Sequence, residues 1–315
     1  MHRIAITGSS GYVGRRLVEA IRRHLPQAKI LGIDRVRPRD RVPDRFEPVD
    51  ICDPRLGEVL SGFAPDTVVH LAFILNPSHR EREMRRINVE GTRNALHAAD
   101  TAGASRILFA SSVVALGAAP DNPVPMRDIQ ERVPGHAFRY AADKSEAEAA
   151  AASLAEERPG LAVSWVRPAI ILGPGTDNYL SRLLLRFPVV FLLDGCNTPM
   201  QFVHVDDVVN AMVHILLGDG RGPFNVAPGD SISLLEIALE TGRRAVSVPM
   251  WAARSAVQLT WALRLPVFEA PAAMLDYLRH PCVMAPERLE KELGFAFGHT
   301  SRDALRSVLG AGGAR

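Results

Sequence analysis

The chain predicts an α/β protein: a doubly wound parallel sheet followed by a smaller, mostly helical C-terminal portion. Three observations predict it. Short apolar, β-branched runs alternate with longer helical patterns over the first half. The first of these runs leads directly into a glycine-rich turn and a helix. The alternation then stops after Gly173.

Taking the elements in order, 2–7 (HRIAIT), 28–34 (AKILGID), 67–72 (TVVHLA), 105–111 (SRILFAS) and 162–170 (AVSWVRPAI) read as buried strands. Residues 14–23, 85–102 and 141–157 between them read as helices. A β-α-β alternation of this kind builds a parallel sheet with helices on both faces. Beyond Gly173, 174–187 and 246–268 are apolar helical patterns broken by Pro and Gly. We assign residues 1–172 with 201–228 to the sheet domain. Residues 173–200 with 229–315 form the smaller portion, over the carboxyl edge where open α/β sheets bind ligands. The terminal GAGGAR reads as a frayed end.

Composition narrows the function classes. Of 315 residues 47% are hydrophobic, enough for a large core, and the net charge of +2 favours neither nucleic acid nor an acidic membrane surface. No run reaches the roughly 18 apolar residues of a spanning helix, and the N-terminus lacks a signal peptide's layout. Cys52, Cys196 and Cys282 are few and far apart, so they read as buried small hydrophobes in a reducing cytoplasm. No metal site is expected.

The turn after the first strand is Thr7-Gly8-Ser9-Ser10-Gly11-Tyr12-Val13-Gly14. Its glycines suit a tight turn, close backbone approach to a pyrophosphate and close helix packing, and the helix N-terminus offers N–H groups to the anion. The second strand ends at Asp34, placed to accept both ribose hydroxyls of an adenosine. A carboxylate there repels a 2′-phosphate and favours NAD; Arg35 and Arg37 follow it, so NADP is the alternative.

Serines end the strand 105–111, and Tyr140-x-x-x-Lys144 comes about 30 residues later. On a helix, i and i+4 share a face, so phenol and ammonium can address one ligand. A nearby Lys⁺ stabilises phenolate and makes it a usable general acid/base. The chain has three lysines against 34 arginines, which suggests a place where a compact ammonium is required.

With these residues in hand, the chain resembles the extended short-chain dehydrogenases/reductases, which hold NAD-dependent epimerases, dehydratases and reductases on a Rossmann sheet. Matching stretches run nearly end to end: TGSSGYVG, GID, VDICD, VVHLA, INVEGTRN, FASSVVALG, YAADK, VRPAIILGPG, FVHVDDV and FNVAPGDSISLLEI. The resemblance implies Tyr140 as acid/base, Lys144 as its partner on the nicotinamide ribose, and Ser112 as the group that orients substrate. It implies Gly8, Gly11, Tyr12, Val13 and Gly14 at the pyrophosphate, Asp34 and Arg35 at the ribose, and Asp50 and Ile51 beside the adenine. Leu71 and Ala72 would line the cofactor, with Pro168 and Ala169 at its nicotinamide end. Asn88 serves either a proton relay or a brace. The resemblance also implies a homodimer, paired through helices 85–102 and 140–157. His204, Asp206 and Asp207 read as strand closure and helix cap, and His70 as a satisfied strand histidine.

Departures from the family pattern point to the substrate. Sugar 4,6-dehydratases carry Asp-Glu where this chain has Val113 and Val114. Sugar-nucleotide 4-epimerases carry Asn where Ile170 stands, and nucleotide-sugar enzymes carry a diphosphate-binding arginine where Met200 stands. Leu116 and Leu172 replace aromatic residues. Trp251, Trp261, Phe268 and Met274 read as core of the C-terminal portion. The expectation is an NAD(P)-dependent oxidoreductase for a small or lipophilic alcohol or ketone; the alternative is a sugar-nucleotide 4-epimerase. A dinucleotide sensor would lack the Tyr or the Lys.

Overall fold

The fold is known from a computed structural model, which describes residues 2–38, 40, 42–130 and 137–309. The terminal GAGGAR lies outside the described residues. β1 (Arg3–Thr7) leads through the glycine turn to α1 (Tyr12–His24) and β2 (Lys29–Asp34). β3 (Arg45–Pro48), α2 (Arg55–Phe63) and β4 (Thr67–His70) follow. Next come α3 (Glu81–Arg85), a π-helical turn over Arg86–Gly91, α4 (Thr92–Thr101) and β5 (Arg106–Ala110). A 3₁₀ turn (Val113–Leu116), α5 (Arg139–Glu157) and β6 (Ala162–Pro168) complete the regular alternation.

The rest of the chain is β7 (Ile170–Leu172), α6 (Tyr179–Arg186), β8 (Val189–Leu193), β9 (Pro199–Met200) and β10 (Phe202–His204). It continues through α7 (Val205–Leu217), β11 (Gly222–Val226), β12 (Ile232–Ser233), α8 (Leu234–Glu240) and β13 (Arg244–Val248). It ends with α9 (Met250–Ala262), a 3₁₀ turn (Ala272–Leu275), α10 (Asp276–Arg279), α11 (Glu287–Lys291) and α12 (Ser301–Leu309).

Seven strands form one sheet in the order β11-β6-β5-β4-β1-β2-β3, every pair parallel. All five expected strands lie in it, and β3 and β11 complete its edges. The chain leaves β1 in one direction for β2 and returns to the other side for β4. That reversal opens a crevice at the carboxyl ends of β1 and β4. The strand expected over 162–170 breaks at Ala169, because Pro168 has no N–H to continue a ladder.

Helices cover both faces. Leu17, Val18 and Ile21 of α1 pack with Val208, Val209 and Met212 of α7 over one face. Leu56 and Leu60 of α2, Leu96 of α4 and Ala147 and Ala151 of α5 cover the other. Each fully buried Leu or Ile contributes about 1.5–3 kcal/mol.

A third core unites α6, α8, α9 and α12 with Phe138 and Tyr140. This smaller portion also carries two strand pairs that helical periodicity did not announce, β8–β13 parallel and β9–β12 antiparallel. Leu289, Phe295 and Phe297, late in the chain, return to the α1–α7 face of the sheet. Among the expected core residues of this portion, Met274 is buried and Phe268 stacks on Phe187. Trp251 differs: it is 74% exposed on α9. Among the described residues no helix is long and apolar enough to cross a membrane.

Candidate active site

The glycine turn is shaped by close contacts. Gly8 has φ +72°, and a Cβ there would lie 2.6 Å from the Ala72 nitrogen. A Cβ on Gly14 would lie 2.2 Å from the Gly8 carbonyl oxygen. A side chain at Gly8 would collide with the segment after β4, and one at Gly14 with the turn itself. Gly11 caps α1 without a side-chain hydrogen bond, and the first turn of α1 carries no acid. Its amides are therefore available to an anion.

Asp34 closes β2, and its carboxylate accepts the Ser10 N–H at 3.1 Å and the Arg35 N–H at 2.7 Å. Arg35 lies 3.9 Å from the Asp50 carboxylate, and Arg37 stacks over Phe46. Gly8, Gly11, Asp34, Arg35, Asp50, Ile51, Leu71 and Ala72 line one continuous recess. The cradle, uncapped helix and oriented carboxylate together fit an adenine dinucleotide.

Beside that recess lies a cleft of about 520 Å³. Gly8, Gly11, Tyr12, Val13, Gly14, Leu71, Ser112, Tyr140, Lys144, Pro168 and Ala169 all line it. Tyr140 and Lys144 sit in the first two turns of α5. Ser112 precedes the 3₁₀ turn at the end of β5, and its side chain is hydrogen-bonded to the Tyr140 phenol. The Lys144 ammonium donates to the Ala110 carbonyl at 2.6 Å and lies 3.5 Å over the Phe73 ring. Burial pushes its pKa down to about 7, opposed by Glu148. Burial also raises the Tyr140 phenol above its ordinary value, opposed by the Ser112 hydrogen bond. The lowering expected from Lys144 has no part in this balance, which sets desolvation against Ser112 alone.

Asn88 lines neither space. It is fully buried in the π-helical turn, where its side chain accepts from the Ile74 N–H at 2.7 Å and donates to Ile74 O and to Asp143. It holds the segment that carries Phe73. His70 is buried in β4 between Thr7 and Thr92, hydrogen-bonded to both. The His204 side chain caps α7 by accepting from the Asp206 N–H, and Asp207 accepts from the backbone of Gly298 and His299. No group of three metal-ligating side chains occurs among the described residues. The three cysteines are unpaired and half-buried.

Four of the departures from the family pattern meet in space. Val113, Val114, Ile170 and Met200 line a single small chamber with Phe138, Tyr179, Met274 and Tyr277. Val113, Val114 and Ile170 also border the cleft that holds Tyr140. Leu116 and Leu172 point instead into the core. Phe73, Tyr179 and Tyr277 are site residues that sequence reasoning missed. Phe73 was readable in principle, because it follows β4 at the sheet's carboxyl edge. Tyr277 was not: it reaches the site from the far end of the chain, donating to Val114 O at 3.1 Å.

A dinucleotide cradle joined to a Ser-Tyr-Lys cleft defines an NAD-dependent enzyme. The sequence pattern of the NAD dependent epimerase/dehydratase family matches residues 4–227, and the chain belongs to that family. An uncharacterized protein of Mycobacterium tuberculosis is 24% identical over 96% of this chain and 82% of its own length. The 4-hydroxy-2-methyl-3-oxo-4-farnesyl-3,4-dihydroquinoline-1-oxide ketoreductase of Stigmatella aurantiaca is 29% identical over 98% of this chain and 96% of its own. Among solved structures, MoeE5 in complex with UDP-glucuronic acid and NAD superposes with a TM-score of 0.74 at 25% identity, covering 97% of both chains. The UDP-glucose 4-epimerase of Thermus thermophilus in complex with NAD gives 0.74 at 20% identity, covering 99% of this chain and 100% of its own.

Proposed function

We propose that the protein is an NAD-dependent oxidoreductase acting on a lipophilic ketone or its alcohol. The observation that carries this reading is the convergence of Val113, Val114, Ile170 and Met200 on one apolar chamber beside Tyr140. A nucleotide sugar brings two phosphate charges and many hydroxyls, and such a wall leaves them without partners. The Stigmatella relative, a ketoreductase of a farnesylated substrate by name, supports the same class.

Gly8, Gly11, Tyr12, Val13 and Gly14 would hold the NAD diphosphate, with Asp34 and Arg35 at the adenosine ribose, Asp50 and Ile51 at the adenine, and Leu71 and Ala72 along the wall. Pro168 and Ala169 would flank the nicotinamide end. Bound there, NAD supplies a hydride acceptor or donor. Ser112 holds the substrate oxygen, and the Tyr140 hydroxyl delivers a proton to it or takes one away. A phenol raised by burial stays protonated at neutral pH, which is the state that carbonyl reduction requires. The Lys144 ammonium, its pKa lowered to about 7, offsets the negative charge left on the Tyr140 phenolate when the proton leaves. Asn88 acts as a brace for the Phe73 segment. The same reading includes a homodimer formed through α4 and α5.

The test is a set of ketones offered with NADH, read as loss of NADH, beside UDP-glucose offered with NAD⁺. NADH consumption with lipophilic ketones and no change in UDP-glucose is expected. Conversion of UDP-glucose to its 4-epimer, with the cofactor unchanged, would overturn the proposal in favour of an epimerase.

A further inference from the structure

We infer that the site takes an elongated, uncharged amphiphile, whose apolar tail runs from Tyr140 past Tyr179 and Met274 into a groove at the surface. The head-group chemistry rests on the oxidoreductase reading; the path of the tail rests on geometry alone. The chamber beside Tyr140 holds about 50 Å³. At about 10–15 Å³ for each atom-sized occupant, that is room for roughly four heavy atoms. A longer apolar group has to continue elsewhere.

A second cavity of about 350 Å³ lies behind the chamber, lined by Leu183, Phe187, Pro188, Pro266, Val267 and Phe268 among others. Tyr179 borders the catalytic cleft, the chamber and the outer groove, and Met274 borders the last two. These two side chains are the partition. Tyr179 is fixed in place: it opens α6 directly after Asn178, whose capping box with Ser181 sets the helix start. Met274 is unbranched and lies in a short 3₁₀ turn, so it can swing aside where a branched residue could not.

Apart from Arg182, Glu269 and the Tyr179 hydroxyl, the side chains lining the groove are apolar. Phe187 and Phe268 stack at 5.1 Å to form one side of it. Its two charged members, Arg182 and Glu269, pair with each other at 2.7 Å, and Arg182 also pairs with Asp177 at 2.6 Å. Among the described side chains lining the groove no positive charge is left to hold a phosphate, which excludes an anionic tail end. Val267, which lines the groove, is 48% exposed, and the neighbouring Leu263 and Leu265 are exposed as well. The apolar path therefore continues onto the surface.

Calorimetry on the NAD-loaded protein with two alcohols tests this: farnesol, with fifteen carbons, and 3-methyl-2-buten-1-ol, with five. Farnesol is expected to bind at least about 100-fold more tightly, since each buried methylene adds several-fold. Met274→Trp, which fills the partition, should weaken farnesol at least about 10-fold and leave the short alcohol within about 2-fold. Val267→Glu, on an exposed position that folding does not depend on, should do the same by placing a charge in the groove. Equal affinity for the two alcohols in the wild type, or an equal loss of both in Val267→Glu, would overturn the path. Tight, variant-sensitive farnesol binding with no redox turnover of any alcohol would sustain the path and overturn the oxidoreductase reading instead.

Discussion

Lys144 is buried away from water, which disfavours its charge, between ring faces that attract the charge and a carbonyl that accepts its hydrogen bond. Phe73 and Phe109 present ring faces at 3.5 and 5.0 Å, and the Ala110 carbonyl takes the hydrogen bond. One carbonyl serves a compact ammonium, where a guanidinium would bring five donors into the same buried place, which gives a physical reason for a lysine in a chain that otherwise uses arginine. Tyr140 meets the edge of the Phe73 ring at 5.7 Å, so one aromatic side chain positions both members of the pair. Tyr140 and the glycine turn line the same cleft, but they are separate groups, so proton transfer and diphosphate binding can be separated at the level of one atom. Tyr140→Phe removes only the hydroxyl. It should leave NADH affinity within about 3-fold, read by fluorescence titration, and lower turnover at least about 100-fold. Retained turnover would remove Tyr140 from the acid/base role.

At the scale of elements, His70 ties three of them together. It stands in β4, bonds Thr7 of β1 on one side and Thr92 of α4 on the other, and stacks on Phe109 of β5. Burial, with a smaller push from Lys144, lowers its pKa to about 3. An unfolded histidine titrates near 6.5. Between these values the unfolded chain binds a proton at His70 that the folded chain refuses. The stability this neutral histidine supports is therefore full above pH 6.5 and falls by about 1.4 kcal/mol per pH unit below it. His70→Gln keeps hydrogen bonding to the two threonines but cannot titrate. Urea midpoints at pH 7 and pH 5 should differ less in the variant than in the wild type, and equal differences would refute the assignment.

Elements of this kind were legible in the sequence where the signal was local. β1, β2, β4, β5 and β6 are dense in branched apolar residues, and the Tyr140–Lys144 spacing is fixed by one helix. β3 was missed because its four residues, RFEP, bury only Phe46. β8 was given no element and the end of β13, 246–248, was read into a helical pattern, since a five-residue strand gives too short a period to outweigh its neighbours. The apolar departures at Val113, Ile170 and Met200 were legible one by one. Their meeting in one chamber depends on contacts between residues up to 87 positions apart, and no local pattern records that. The outer groove, built from α6 and the segment after α9, was invisible for the same reason.

At the scale of the molecule, the net charge of +2 leaves little long-range repulsion between copies, so contact is decided by local surfaces. Glu146 of α5 pairs with Arg93 of α4 at 2.9 Å and with Arg85 at the end of α3 at 2.6 Å. Between these charges α5 offers Ala142, Ala149 and Ala152, of which Ala149 is exposed and the others half-buried. Side chains this small let two helices approach to the short end of the usual 8–10 Å. The pairing of α4 and α5 with their counterparts would build a four-helix interface and leave both clefts open. The expected outcome in sedimentation velocity is a species of twice the protomer mass. Ala149→Arg puts a long charged side chain where the helices must touch, on an exposed position where the isolated fold tolerates it. It should convert the dimer to a monomer whose circular dichroism is unchanged. A wild-type monomer, or a variant that stays dimeric, would place the interface elsewhere or nowhere.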